Sequence, residues 1–228
     1  MALGTIGYAG FSPEGLAARL ASEGMAWVVD VRSHPLSSRF PAFSQEPLRR
    51  LLQGHGIGYL HFGREFGARQ RDPAWLLPGG YLDFAKFSRS APFLAGCRRI
   101  AAGLAKGLGI VLLCAEKEPR ECHRGVMIGR WFAAHGTDAV HFLPGGAKTQ
   151  RDVDAELLAL HCKGEFALQG GRLADLRAML RGLPGMPSVE DRLAWACRRQ
   201  NLAMARRFQA ETACRARREE AKYGVLAK

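Results

Sequence analysis

The chain has 228 residues, with 33 Lys and Arg against 21 Asp and Glu, a formal net charge of +12 and 47% hydrophobic residues. That apolar share excludes wholesale disorder and suffices for one good core plus an extension. No apolar run approaches the ~20 residues that a membrane-spanning helix needs. The positive balance points either to an anionic partner, with nucleic acid first among them, or to an Arg-rich solvated surface. The opening Met1-Ala2-Leu3-Gly4-Thr5-Ile6 has neither the basic nor the apolar region of a signal peptide. The cysteines at 97, 114, 122, 162, 197 and 214 are scattered through a chain too large to need staples, so they read as reduced thiols of a cytoplasmic protein.

In chain order, Leu3 to Tyr8 reads as a first strand that ends in a glycine-rich turn. Ser12-Pro13-Glu14 then opens a helix, with Ser as N-cap and Pro at its first position, and Gly24 closes it. Ala26 to Arg32 is a second buried strand, whose alternation puts Asp30 and Arg32 on one face of its carboxyl end. The loop Ser33 to Ser44 is long for a strand-to-helix connection and carries Ser33, Arg39 and several aromatics, which marks it as a functional candidate. A helix from Glu46 to Gln53, a third strand at Ile57 to Phe62 and a loop region from Gly63 to Gly80 follow. Further helices are expected over Tyr81 to Ser90 and from Pro92 to about Lys106, then a central strand at 109 to 114, a helix from Arg124 and a last strand at Asp138 to Leu143. Strands alternating with helices predict an α/β fold, a Rossmann-like and mostly parallel sheet of about five strands flanked by helices.

From about residue 148 the strand signals fade, so the chain divides into an α/β core over 1–147 and a basic helical extension over 148–228. Asp152 to His161 and Leu173 to Arg181 look helical, and Glu165-Phe166-Ala167-Leu168 is a weak strand signal. Ser188 is an N-cap for a long final helix, on which Leu193, Cys197, Met204 and Phe208 form one apolar face. Basic residues outnumber acidic ones after Ser188, which suits either a nucleic-acid-binding arm or a helix packed on the core with a basic outer face.

The chemistry concentrates in Ile110-Val111-Leu112-Leu113-Cys114-Ala115-Glu116-Lys117-Glu118-Pro119-Arg120-Glu121-Cys122-His123-Arg124. A buried strand here delivers two cysteines, a histidine, carboxylates and arginines to the sheet edge where α/β proteins bind ligands. Thr5-Ile6-Gly7-Tyr8, Asp30-Val31-Arg32, Ser37-Ser38-Arg39-Phe40 and Cys114-x-Glu116-x-x-Pro119-x-x-Cys122-His123-Arg124 are together similar to the domain-of-unknown-function family numbered 488. The resemblance covers about residues 3 to 145. It implies a bacterial-type cytoplasmic α/β protein and no established activity.

Four chemistries fit the corner. The first is a Cys114 nucleophile on a C-x5-R loop ending at Arg120. It is opposed by Glu116, Glu118 and Pro119, which suit a phosphate cradle poorly. The second is a zinc or iron site of Cys114, Cys122 and His123, with or without Glu116. The third is an enzyme using Glu116 as its working carboxylate, with Asp30 orienting and Arg32, Arg39 and Arg124 binding an anionic, nucleotide-type substrate in a pocket lined by Tyr8 and Ser33. The fourth is structural: Asp30 and Glu116 neutralise Arg32 and Arg124, the cysteines pack, and the protein is a non-enzymatic nucleic-acid-binding module. His34 and His61 are read as surface or satisfied histidines near the rim, His141 as structural or at the rim, and the remaining cysteines as packing.

Overall fold

A computed structural model describes residues 3–162 and 188–224. The expected strand at Glu165 to Leu168 and helix at Leu173 to Arg181 lie outside the described residues, as does Lys228. Strands β1 (Leu3–Gly7), β2 (Trp27–Asp30), β3 (Gly58–His61), β4 (Ile110–Cys114), β5 (Ala139–Leu143) and β6 (Gly146–Thr149) form one sheet in the order β3-β2-β4-β1-β5-β6. All pairings are parallel except that of β6, which folds back antiparallel on β5. The sheet is therefore one strand larger than the alternation of apolar runs implies. β6 escapes that reading because Gly146-Ala147-Lys148-Thr149 is short, polar and next to a Pro-Gly turn.

Helices cover both faces. α1 (Pro13–Ser22) and α2 (Gln45–Gly54) lie on one, where Leu16, Leu20, Leu48 and Leu52 pack on Ile6, Val28, Val111 and Leu113. Ser12 caps α1 as its position before Pro13 predicts, its Oγ accepting from Gly15 N at 3.0 Å. The other face holds α5 (Ala91–Ala105), α6 (Arg130–Ala134), α7 (Gln150–His161) and the long final helix α8 (Val189–Gly224), packed on Ile110, Leu112 and Cys114. The region read as a loop contains a short α3 (Gly63–Phe66), and only Phe84–Phe87, α4, is helical where a longer helix is expected. Ser188 and Asp191 form a reciprocal cap at the start of α8, with Ser188 Oγ accepting from Asp191 N at 3.1 Å and Ser188 N donating to Asp191 Oδ2 at 3.0 Å. Leu193, Ala196, Met204 and Ala205 bury one side of α8 in the main core.

The strand order decides where a ligand can enter. Gly7 and Cys114 are register partners at the ends of adjacent strands. The chain leaves β1 toward α1 on one face and leaves β4 toward α6 on the other. Diverging connections open a crevice at that switch point. Among the described residues no helix is long and apolar enough to cross a membrane.

Candidate functional site

The floor of the crevice is built from the end of β4 and the turn after it. Cys114 and Cys122 are 3% and 1% exposed, and both sulfurs approach Glu116 Oε2, at 2.9 and 3.0 Å. A 3-10 turn over Pro119–Glu121 returns the chain, so that Cys122 faces Cys114 across the carboxylate. His123 is buried beside them, with its Nδ1 3.9 Å from Cys114 Sγ and 3.7 Å from Cys122 Sγ. Its other nitrogen, Nε2, meets the Val31 carbonyl at 3.1 Å. Nε2 donates a hydrogen bond to that carbonyl, which turns Nδ1 toward the two sulfurs.

Arg124 is wholly buried and locks the turn. It donates Nη1 to the Glu116 carbonyl and Nη2 to the Lys117 carbonyl, at 2.5 and 2.8 Å. This corrects the expectation that Arg124 and the Glu116 carboxylate neutralise each other: the arginine holds backbone, and the carboxylate is left to the thiols. The close fit needs Gly7, because a Cβ there would overlap the Glu116 carbonyl oxygen. After His123 the chain forms a π-helical turn over Arg124–Gly129 before α6, where apolar spacing predicts one continuous helix. Gly125 and Gly129 make the wide turn possible, since a Cβ would run into the Pro119 carbonyl at one and the Gln150 side chain at the other.

The second wall comes from β2. Asp30 is fully buried and takes Arg32 Nε and Nη2, at 2.9 and 2.5 Å. Tyr59 adds its hydroxyl at 2.7 Å. This is the Asp30–Arg32 pairing that strand alternation predicts. Arg32 Nη1 is buried and has no hydrogen-bond partner among the described residues. The Arg32 guanidinium lies 5.3 Å from the Tyr8 ring, which itself stacks on Phe43 at 4.5 Å.

These walls enclose a cavity of about 390 Å³ lined by Tyr8, Arg32, Ser33, His34, Cys114, Glu116, Cys122 and His123 among others. Its far side is α8, through Met204, Arg207, Phe208 and Glu211. Arg207 pairs with Glu121 at 3.2 Å and so ties that helix to the 3-10 turn. Burial governs the charge states. It pushes the Glu116 carboxyl up, and the charge on Cys122 adds to this. Cys114 is held up by its hydrogen bond to Cys122 and by burial. Burial opposes ionisation of Cys122 too, but the bond from Cys114 and the charges of Arg124 and His123 outweigh it and bring that thiol down. His123 is likewise penalised by burial, yet rises because it faces Cys122 and Glu116.

Of the residues singled out in the sequence, Cys114, Glu116, Tyr8, Arg32, Ser33, Cys122 and His123 meet in the cavity, with Asp30 directly behind Arg32. Arg124 supports the floor from below. Arg39 does not join them, for it is exposed on its loop and lies against Phe40. Arg120 does not complete a phosphatase-type loop either, because its side chain turns to Glu156 of α7 at 3.5 Å. His34 lines the cavity, and His61 bonds to the Arg32 carbonyl at 2.8 Å. Burial raises Cys97 and Cys197 to about 12, which suits packing thiols. The α8 side chains of the cavity have no local signal near the motif. Only the apolar face of Leu193, Cys197, Met204 and Phe208 shows that this helix must cover something.

Fold and site together define an α/β protein of the doubly wound kind with a buried thiol–carboxylate–imidazole cluster at its switch point. The chain belongs to the family described as domain of unknown function DUF488, which it matches over residues 12–130. That span holds the whole Cys114–Arg124 run and leaves out β1 and α8. No curated protein and no solved structure matches the chain.

Proposed function

We propose that the protein is an enzyme acting on a small anionic substrate, of the phosphate-bearing or nucleotide type, bound at the carboxyl edge of the sheet. The observation that carries this reading is Arg32, a buried guanidinium lining the cavity with one nitrogen left unpaired among the described residues. Buried donors are nearly always satisfied, and an arginine donor without a partner beside a cavity suits an anion that arrives with the substrate. Glu116 stands at the floor of the same cavity as the group for proton transfer, and Asp30 fixes the fork of Arg32. The experiment is calorimetric titration with inorganic phosphate and with a nucleoside monophosphate. The Arg32→Lys variant keeps a charge for Asp30 and loses the fork, and it should bind about tenfold more weakly, or worse. Equal affinity of the two proteins would refute the assignment.

A second reading, nucleic-acid binding, has its own support on α8. Trp195 is 48% exposed with Arg199 against its ring, and Arg198 and Arg206 lie on the same exposed side. Stacking and phosphate contacts there require binding to an oligonucleotide that weakens steeply with salt. No binding at low salt would remove that partner.

A further inference from the structure

We propose that Cys114, Cys122 and His123 hold a divalent metal ion of the zinc class. Their ligand atoms all lie within 4.8 Å of one another, and all three residues are buried. The spacing is that of a coordination shell. Tetrahedral zinc, with bonds of about 2.3 Å to sulfur and about 2.0 Å to nitrogen, sets sulfur and nitrogen donors about 3.5 Å apart. Here the two sulfurs stand 3.9 and 3.7 Å from Nδ1. The histidine is oriented as metal-bound imidazoles are, with the remote nitrogen on a backbone carbonyl, that of Val31, and the near one free to ligate. Glu116 supplies the fourth donor. Its Oε2 is 2.9 and 3.0 Å from the sulfurs and needs to move outward by about half an ångström to complete a tetrahedron.

The surroundings suit an ion as well. Two thiolates and a carboxylate would carry three negative charges into a buried site. A divalent cation and Arg124, wholly buried and hydrogen-bonded among the described residues to carbonyls alone, together match that charge. The ligands sit on the strand end, on the turn braced by Arg124 and just after the 3-10 turn that follows it, so the site is fixed before the metal arrives. Soft sulfur with one imidazole selects zinc or iron over magnesium or calcium. The two readings share Glu116, which ligates rather than transfers a proton while an ion is bound, but anion binding at Arg32 is separate, because Arg32 is not among the ligands.

The test is elemental analysis of the full chain purified under reducing conditions, followed by cobalt substitution of protein stripped of metal. The expected result is about one zinc or iron per chain, and with cobalt the intense near-ultraviolet charge-transfer band of thiolate ligation. Cys122→Ser should lose the ion and the band, whereas Cys97→Ala, which alters a packing cysteine of α5 outside the ligand set, should keep both. Should Cys122→Ser not fold, Glu116→Gln serves instead: it keeps the two sulfurs and the imidazole, so the cobalt band should persist with a shifted visible spectrum. Folded wild-type protein that contains no metal and gives no cobalt band overturns the proposal and leaves a metal-free thiol–imidazole cluster. Metal-containing wild-type protein that binds neither phosphate nor a nucleoside monophosphate would instead count against the substrate reading alone.

Discussion

Arg124 and Gly7 are two halves of one device. The guanidinium crosses under the turn after β4 and holds two consecutive carbonyls, while the missing side chain at position 7 lets that turn lie against β1. Arg124→Met would leave both carbonyls unpaired in the interior and remove a cation from behind the sulfurs. A hydrogen bond to a charged group is worth about 1.5–3 kcal/mol, so the variant should lose at least about 3 kcal/mol in urea unfolding. Gly7→Ala attacks the same fit sterically. The added methyl meets backbone rather than a flexible side chain, so the expected loss is about 1–3 kcal/mol, together with weaker ligand binding at Cys114 and Glu116. If Gly7→Ala is as stable as the parent, the turn is free to move and the Arg124 hydrogen bonds do not hold it rigid.

At the scale of elements, α8 turns the motif into a cavity. Asn201 secures it to the core: Oδ1 accepts from Phe84 N and Nδ2 donates to the Leu82 carbonyl, each at 3.0 Å. Asn201→Asp keeps the acceptor and replaces the donor with a second acceptor facing that carbonyl. The buried mismatch should cost about 1–3 kcal/mol and loosen α8, seen as faster amide exchange in its described part and in Leu82–Phe84. Such partnerships mark the limit of what the sequence conveys. β1, β2, β4 and β5 are legible because buried parallel strands are apolar runs, and Asp30 and Arg32 are legible as a pair because a strand repeats every two residues. Cys114, Glu116, Cys122 and His123 are legible as neighbours because they follow one strand end. β6, the π-helical turn and the choice of backbone by Arg124 are not, since each is decided by contacts across the fold rather than by a local period. The α8 wall depends on packing over more than eighty residues of sequence, and Arg39 is excluded by a loop path that no pattern encodes.

Across the whole molecule a buried polar chain joins the sheet to α7 and α8, and it governs the response to acid. Thr5 donates to His141 Nδ1 at 2.6 Å, His141 Nε2 donates to Gln150 Oε1 at 3.0 Å, and Gln150 Nε2 donates to Asp154 Oδ1 at 2.8 Å. Asp154 faces Arg130, which also holds Glu190 at the start of α8. Burial is the first cause of both shifts in this chain. It lowers His141 from 6.5 to about 4 and raises Asp154 from 3.8 to about 6. The two act in opposite directions. Between about pH 6.5 and 4 the unfolded chain binds a proton at His141 that the folded chain refuses, so acidification removes stability. Between about pH 6 and 3.8 the folded chain binds a proton at Asp154 that the unfolded chain releases, so acidification adds stability. Shifts of this size are each worth on the order of 3 kcal/mol, and they largely offset one another across the shared window. Asp154→Asn keeps an acceptor for Gln150 and removes the second effect. Relative to the parent, the variant should gain on the order of 2 kcal/mol as the pH rises from 4 to 7, and it should show the acid lability of His141 openly on the way down. His141→Gln should do the reverse: with Asp154 left to act unopposed, the variant should gain stability relative to the parent as the pH falls from about 6.5 to 4. Urea midpoints of the three proteins at four pH values between 4 and 7 decide it: parallel curves would mean that neither group titrates with folding, and that the polar chain serves packing alone.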